Sequence, residues 1–181
     1  LDTPRTIGSI ILGDVDTNSA AGWTLDNNGI GTNILTLAGG TPTLTVNALG
    51  SGRNATIGAI LAGTIGLTKA GEGMLVLPGR NPVSGTTTIN AGTLTLSGGD
   101  NALAVGQSLV LNGGTLDLGA NSQYAGNLSG NGGAIIGSGT LMLNQGTAQA
   151  FQGSLSNSVN LVKAGGQTLT LTNASPTAGT I

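Results

Sequence analysis

The chain has 181 residues, and among them there is no cysteine and no histidine. Without cysteine, neither disulfide bonds nor thiolate metal sites can form. Without histidine, Ser-His-Asp and Cys-His catalysis is excluded, as are most transition-metal sites. Charged residues make up only 7% of the chain, against about 25% in ordinary soluble domains. Stability must therefore come from packing and from backbone pairing.

Positive charge and long apolar runs are also scarce. A nucleic-acid-binding surface needs a basic stripe, and the five basic residues are dispersed along the sequence: Arg5, Arg53, Lys69, Arg80 and Lys163. The chain has no run of about 18 apolar residues, the length that a membrane-spanning helix requires. We therefore expect no nucleic-acid partner and no membrane span in this segment.

Glycine and aliphatic residues are abundant instead. The chain has 34 glycines, with Leu, Ile, Val and Ala interleaved with Thr, Ser and Asn. Low charge together with high aliphatic content argues against disorder. Glycine and β-branched residues argue against helices and favour strands joined by tight turns. The composition predicts an all-β protein.

A short motif ending in Leu-x-Leu recurs along the chain. Its copies span residues 73–77, 92–96, 114–118, 139–143 and 167–171, with cruder versions at 33–37 and 42–46. In a strand, alternate residues share a face, so the leucines of each copy point the same way. A period near 20 residues suits one coil of a right-handed parallel β-helix with two or three strands per turn. We predict a β-solenoid of roughly eight coils, with Leu75, Leu94 and Leu116 in one core.

A second alignment supports the coil. Residues 87–94 and 109–116 match at a fixed offset, and in both Asn precedes small residues between two apolar strands. Asn and Gly tolerate the left-handed backbone that a sharp corner needs. A hairpin turn is the competing interpretation. We favour the coil corner because the whole unit repeats, and we expect rows of corner Asn residues to hydrogen-bond along the stack.

A longer repeat overlies the short one. Residues 66–86 read GLTKAGEGMLVLPGRNPVSGT, and residues 160–180 read NLVKAGGQTLTLTNASPTAGT, at an offset of 94 without gaps. Both closely resemble the passenger-associated transport repeat, also called the autotransporter-associated β-strand repeat. The aromatic residue of the family pattern is missing from both copies, at Asn81-Pro82-Val83 and Ser175-Pro176-Thr177.

The resemblance implies a right-handed β-helix in an outer-membrane or secreted bacterial protein, where the repeat assists passenger folding and export rather than catalysis. It implies an extracellular or outer-cell-surface location. We expect residues 1–181 to form a single β-helix segment of a longer protein, with repeat copies at 66–98 and 160–181.

The acidic residues do not form an evident catalytic group. Glycoside hydrolysis needs two carboxylates facing a substrate, whereas the acidic residues are scattered and no acidic position repeats: Asp2, Asp26, Glu72, Asp100 and Asp117. Sugar-stacking aromatics are limited to Trp23, Tyr124 and Phe151. We therefore predict no enzymatic activity, no catalytic residues and no cofactor.

Asp14, Asp16 and Asn18 are a weak calcium candidate. Oxygen ligands at alternate positions resemble the start of a calcium loop, but the downstream Gly and bidentate Glu are not in place. We favour a polar loop between strands at 10–12 and 23–25. The segment 98–101 is interpreted as a solvated corner rather than a calcium-binding repeat.

Three further side chains have simple structural interpretations. Lys69 and Lys163 occupy equal places in the two long repeats, and we expect each to be a solvated residue before a glycine turn rather than part of a ligand row. Trp23 is expected to fill the core or cap an end of the stack rather than bind sugar.

The sequence therefore favours a structural β-solenoid passenger or stalk that displays or adheres at the cell surface, with an unidentified glycan or protein ligand. The alternative is a subunit that self-associates into a filament through the open ends of its β-helix. A carbohydrate-active β-helix enzyme is the third hypothesis, which a deep acidic groove would favour.

Overall fold

A computed structural model of the chain describes residues 1–13, 21–156 and 158–173. These residues form twenty-one short strands and no helix, so none of them forms an apolar helix long enough to cross a membrane. Every strand pairing is parallel. The strands stack in three faces, which the chain visits in the same order on each turn.

The first face begins and ends with three-stranded ladders. Its strands are β1 (Arg5–Ile7), β4 (Leu35–Leu37), β7 (Leu61–Ala62), β14 (Gln123–Ala125), β17 (Thr140–Asn144) and β20 (Asn160–Ala164). Between β7 and β14 the face is continued by single bridges, which join Gly63 to Val83 and Asn81 to Leu103. This face is therefore irregular at its centre.

The second face has eight stacked positions. Its strands are β2 (Ser9–Leu12), β5 (Thr43–Val46), β8 (Leu67–Ala70), β10 (Thr86–Ile89), β12 (Ser108–Leu111), β15 (Leu128–Ser129), β18 (Gln149–Phe151) and β21 (Leu169–Leu171). A bridge between Gly130 and Phe151 links the β15 end of the six-stranded ladder to β18. The ladder then continues from β18 to β21.

The third face is a continuous seven-stranded sheet. Its strands are β3 (Trp23–Leu25), β6 (Ala55–Ile57), β9 (Met74–Leu77), β11 (Thr93–Leu96), β13 (Thr115–Asp117), β16 (Ala134–Ile136) and β19 (Ser154–Leu155). Counted from β1, the chain makes eight coils, and the described part of the eighth contains β20 and β21. The parallel β-solenoid of roughly eight coils is thus confirmed, and we expect the right hand that parallel crossovers almost always take.

The register of the central coils agrees with the sequence prediction. Leu94 pairs with Leu75 on one side and with Leu116 on the other, and all three are fully buried. Thr87 pairs with Leu109, as the second alignment predicts. Since the same side chains meet in successive coils, backbone pairing and a dry interior are created together.

The regular spacing of the Leu-x-Leu motif predicts that all its later copies stack on one face, the third, but two of them lie on other faces. Leu141 is in β17 of the first face and Leu169 is in β21 of the second. The partner of Thr115 in the next coil is Ala134, nineteen residues later, in a strand without the motif. Strands of all three faces can carry the Leu-x-Leu pattern, because each face buries alternate residues. The copies at 139–143 and 167–171 are more widely spaced because each lies on a different face from the copy before it.

The two long repeats also lie on different faces. Residues 67–70 form β8 in the second face, whereas residues 160–164 form β20 in the first. The local unit is nevertheless the same, a strand followed by a glycine with positive φ at Gly71 (72°) and Gly165 (78°). The offset of 94 residues is therefore not a whole number of coils.

One aromatic ring enters the core near the C-terminal end of the stack. Phe151 is fully buried and pairs with Gly130 of the preceding coil. Gly130 has a φ of 136°, and a Cβ there would collide with the carbonyl of Leu111. The ring itself needs Gly153, because a Cβ at that position would collide with Cζ of Phe151.

Candidate functional site

Two of the scattered carboxylates, those of Asp100 and Asp117, accept hydrogen bonds from backbone groups. The N–H of Ser122 donates to Oδ1 of Asp100 at 2.7 Å, and the N–H of Gly119 donates to Oδ1 of Asp117 at 2.8 Å. The Asp117 carboxylate stabilises a local turn in the way that short polar side chains commonly do, whereas the Asp100 carboxylate binds the following coil. No paired-carboxylate geometry is formed by these contacts.

Asp2 is held in an exposed ion pair at the first coil. The Arg5 guanidinium lies 2.8 Å from Oδ1 of Asp2, and its hydrogen bond lowers the pKa of that carboxyl. Because both side chains are in solvent, the pair contributes little to stability.

The calcium candidate Asp14, Asp16 and Asn18 lies outside the described residues. Within the part of the chain that the structure describes, no group of three or more Asp, Glu, His or Cys side chains is placed to hold a metal ion.

A cavity of about 210 Å³ opens on the irregular centre of the first face. It lies where single bridges replace strands, and Arg80, Asn81, Asn101, Leu103 and Val105 are among the residues that line it. No carboxylate lines this cavity, so it lacks the acidic pair that glycoside hydrolysis requires. Asn101, at its edge, has a φ of 55° and accepts a hydrogen bond from the N–H of Tyr124.

Lys69 is buried, and the expectation that it is solvated is wrong. It lies in β8 with no exposed surface, and Nζ donates to the carbonyls of Ala70 (2.8 Å), Gly71 (2.7 Å) and Ala91 (3.1 Å). Burial lowers the pKa of Lys69 to about 8, against the opposing effect of Glu72.

The sequence contained a signal for this burial. Leu67 and Lys69 are two residues apart in one strand, so strand alternation places both on the interior face. Lys69 pairs with Leu44 on one side and Ile89 on the other, and both are fully buried. The apolar stem follows the core while the ammonium reaches the carbonyls of the corner.

Lys163 is exposed, as the sequence predicts. Nζ donates to the carbonyls of Ala164 (3.3 Å) and Gly165 (2.9 Å). These acceptors occupy the places of Ala70 and Gly71 in the other repeat. Lys163 thus reproduces the part of the Lys69 arrangement that is formed within one coil.

Buried side-chain amides are a feature that the sequence reasoning missed. Oδ1 of Asn81 accepts the N–H of Leu61 at 2.9 Å, and Oε1 of Gln123 accepts the N–H of Leu103 at 3.1 Å. In each case the side-chain oxygen accepts the backbone N–H that the carbonyl of a neighbouring strand would accept in a regular ladder. Gln123 pairs with Leu141 in the register, which shows that it occupies an interior position.

Gln107 is a further buried amide of the described residues, besides Asn33, Asn81, Gln123 and Gln145. Its Oε1 accepts a hydrogen bond from Oγ1 of Thr87 at 3.1 Å, and its Nε2 has no partner among the described residues. The position of Gln107, two residues before the buried Leu109, was the available signal for its burial.

Trp23 lies at an interior position of the first coil, where it pairs with the buried Ala55. No described coil covers the other side of Trp23, and the side chain is 47% exposed. This position agrees with its interpretation as a residue that fills or caps an end of the stack.

Two segments of the chain are similar to a known family of repeats. The family of the passenger-associated-transport-repeat matches residues 67–96 and 161–181. These two segments together make up less than a third of the chain. Both coincide with the segments that the sequence singled out, and the first spans β8, its glycine corner, β9, β10 and β11.

A curated relative is similar over part of the chain. The "Adhesin BmaC autotransporter" of Brucella suis biovar 1 (strain 1330) is 40% identical over 84 residues, which are 46% of this chain and 2% of that protein. The chain thus corresponds to a very small part of that relative. No solved structure matches the chain significantly. The repeat and this relative indicate display outside the cell or on its outer surface, as the sequence predicts.

Proposed function

We propose that this segment is a rigid, non-enzymatic rod within a cell-surface passenger of adhesion type, and that it spaces or displays the regions that bind. The observation that carries the proposal is the stack of parallel coils on three faces, which runs from β1 to β21. Stacked strands rise about 4.8 Å per coil, so eight coils give a rod of roughly 40 Å.

Contacts between neighbouring coils explain why such a segment acts as a spacer. The heaviest packing between strands is along the ladders, as between β17 and β20 or between β9 and β11. In a solenoid each unit depends on its neighbours alone, so units add length without rearranging the rest.

The adhesion-type role is supported by the Brucella relative, which is an adhesin by name. The outward positions of the third face are also suited to surface display. Thr24 pairs with Thr56, and Thr95 pairs with Asp117, so this face has few charges. Val76 and Ile136 lie in the same outward row, which therefore mixes polar and aliphatic side chains. A surface glycan or protein is the class of ligand that we expect the whole passenger to bind.

A deletion in register tests the rod. Removing residues 93–114 joins Gly92 to Thr115, the residue that pairs with Thr93, and so removes one coil. We expect a folded protein shorter by about 4.8 Å in small-angle scattering. Deleting residues 93–103 removes only part of a coil and moves all later strands to the wrong faces, so this control is expected to misfold. Equal behaviour of the two deletions would contradict the stacked-rod proposal.

The display role is tested on cells that carry the parent passenger with and without the in-register deletion. We expect adherence to immobilised glycans or matrix proteins to persist, because the coil supplies length. Abolished hydrolysis of a polysaccharide in the deleted form would instead reveal an enzyme.

A filament subunit is the second candidate, and the first coil favours it. Trp23 is half-exposed at an interior position, and Ile10 and Leu25 of the same coil are only partly buried. Open strand edges with apolar interiors can template another copy. We expect light scattering to rise with concentration and to fall in Trp23→Ser. Ile11→Ser is the matched control, because Ile11 is more exposed but pairs with the outward Thr45. A concentration-independent monomer would exclude the filament.

A further inference from the structure

We propose that Lys69 is an intercoil clamp, whose ammonium fastens the glycine corner of one coil to the corner of the next, and that Lys163 is the same clamp awaiting a further coil. The proposal rests on the comparison of two equivalent lysines in one chain: a following coil covers Lys69, and the described residues place no coil over Lys163.

The ammonium of Lys69 is fully used by backbone acceptors. Its three N–H donors match three carbonyls at 2.7–3.1 Å. Ala70 and Gly71 belong to the corner between β8 and β9, whereas Ala91 belongs to the corner between β10 and β11 in the following coil. One side chain therefore ties two successive corners together.

The Lys69 ammonium supplies the hydrogen-bond donors for these three carbonyls. A buried acceptor without a partner is costly, and the Lys69 nitrogen keeps two of its three N–H donors when it loses its proton. An apolar replacement of similar length would fill the column between Leu44 and Ile89 but would leave the carbonyls without their donor.

Among the described residues, Lys163 makes only the part of the clamp that lies within one coil. It keeps the two contacts within its own corner, to Ala164 and Gly165, and its side chain is exposed. Ala91 lies 22 residues after Lys69, so the missing acceptor would come from the next coil. The surface around β20 thus continues an established intercoil interface, and the partner that fits it is a parallel coil with a small-residue corner.

Substitution of the two lysines tests the proposal that Lys69 fastens two successive corners. Lys69→Met is expected to lower Tm by about 2–8 °C, the shift that a loss of one to two kcal/mol gives in a chain of this size. Amide exchange in β8 and β10 should accelerate roughly tenfold. Lys163→Met is the matched control and should leave both measurements unchanged. Equal effects of the two substitutions, or no effect of Lys69→Met, would overturn the clamp.

A measurement on the unmodified chain covers the case in which Lys69→Met fails to fold. NMR of the lysine ammonium groups should show Lys69 protected from exchange with water and Lys163 unprotected. The charged group that acts on Lys69 is Glu72, at the same corner. Glu72→Gln should shift the titration of Lys69 to lower pH if the ammonium remains in the corner. Rapid exchange at Lys69 would refute the proposal.

A grafted coil tests the proposal that Lys163 binds the corner of a further coil. Residues 160–173 align with 66–79, so joining residues 80–100 after Asn173, in place of 174–181, supplies the coil that covers Lys69 in the native chain. In this extended chain we expect Lys163→Met to lower Tm and Lys163 to become protected from exchange. If Lys163→Met leaves the Tm of a folded extended chain unchanged, Lys163 does not bind the corner of the added coil.

Discussion

The side-chain amide of Gln145 pairs with the backbone of Leu128 in the preceding coil through two hydrogen bonds. The N–H of Leu128 donates to Oε1 at 3.2 Å, and Nε2 donates to the carbonyl of Leu128 at 3.4 Å. Nε2 also donates to the carbonyl of Thr147 at 3.2 Å. An amide carries one acceptor and one donor group in the geometry of a peptide unit. Gln145 therefore extends the ladder at a position where the coil turns a corner and a strand has ended.

Gln145→Met should destabilise the solenoid. Methionine has a similar volume, but both backbone groups of the buried Leu128 would lose this partner, at a cost of about 2–4 kcal/mol. Chemical denaturation gives the free energy of unfolding directly. Gln152→Met, at an exposed position in the same region, is the control and should change it by less than about 0.5 kcal/mol. An unchanged free energy of unfolding in Gln145→Met would show that water replaces the hydrogen bonds of the amide.

Much of the fold was predictable because strand alternation and the coil period are both visible in the sequence. Leu75, Leu94 and Leu116 have constant partners because their strands lie in successive coils. Leu141 was misassigned because the same Leu-x-Leu pattern serves every face, and a one-dimensional spacing does not say which face a strand joins. The central bridges of the first face were not predictable either, because residues 81–83 and 103 pair through isolated bridges rather than strands.

Of the candidate chemistry, the sequence predicted the exposed Lys163 and the end position of Trp23, but it missed the buried polar groups. Lys69, Gln123 and Gln145 all lie in phase with buried leucines, so alternation alone indicated burial. Polar identity argued against it, because an isolated lysine or amide is costly in a core. What the sequence does not display is the set of corner carbonyls and interrupted ladders that receives these side chains.

The stability of the chain should increase with pH in the alkaline range because of Lys69. Its pKa is about 8 in the folded protein and near 10.5 when the group is solvated. Between these values the unfolded chain binds a proton that the folded chain has released, so the free energy of unfolding rises with pH. Below about pH 8 the group is charged in both states and this contribution is flat. Denaturation at about pH 7.5 and pH 10 should show the increase, and Lys69→Met should remove it. An unchanged difference between the two pH values in Lys69→Met would assign the effect to another group.

Gly114→Ala should disrupt the corner between the second and third faces. Gly114 has a φ of 64°, and a Cβ there would lie 2.6 Å from the carbonyl oxygen of Gly92 in the preceding coil. Left-handed backbone and this collision together should cost about 2–4 kcal/mol. Gly166→Ala is the matched control, since a Cβ there meets nothing within 4 Å. Thermal melting of the two variants separates corner packing from a general effect of removing glycine.

Asn90 and Asn112 test the predicted hydrogen bonding along the stack. Nδ2 of Asn112 donates to Oδ1 of Asn90 at 3.0 Å, between equivalent corners of successive coils. The pair is exposed to solvent, so its net contribution should be small, about 0.5 kcal/mol. A double-mutant cycle with Asn90→Ala and Asn112→Ala isolates that coupling from the effect of each residue on its own turn. Each single substitution should also carry a separate cost, because alanine is a poorer corner residue than asparagine. Strictly additive single effects would show that Asn90 and Asn112 act as independent corner residues, and that the hydrogen bond between them adds nothing to the stability of the stack.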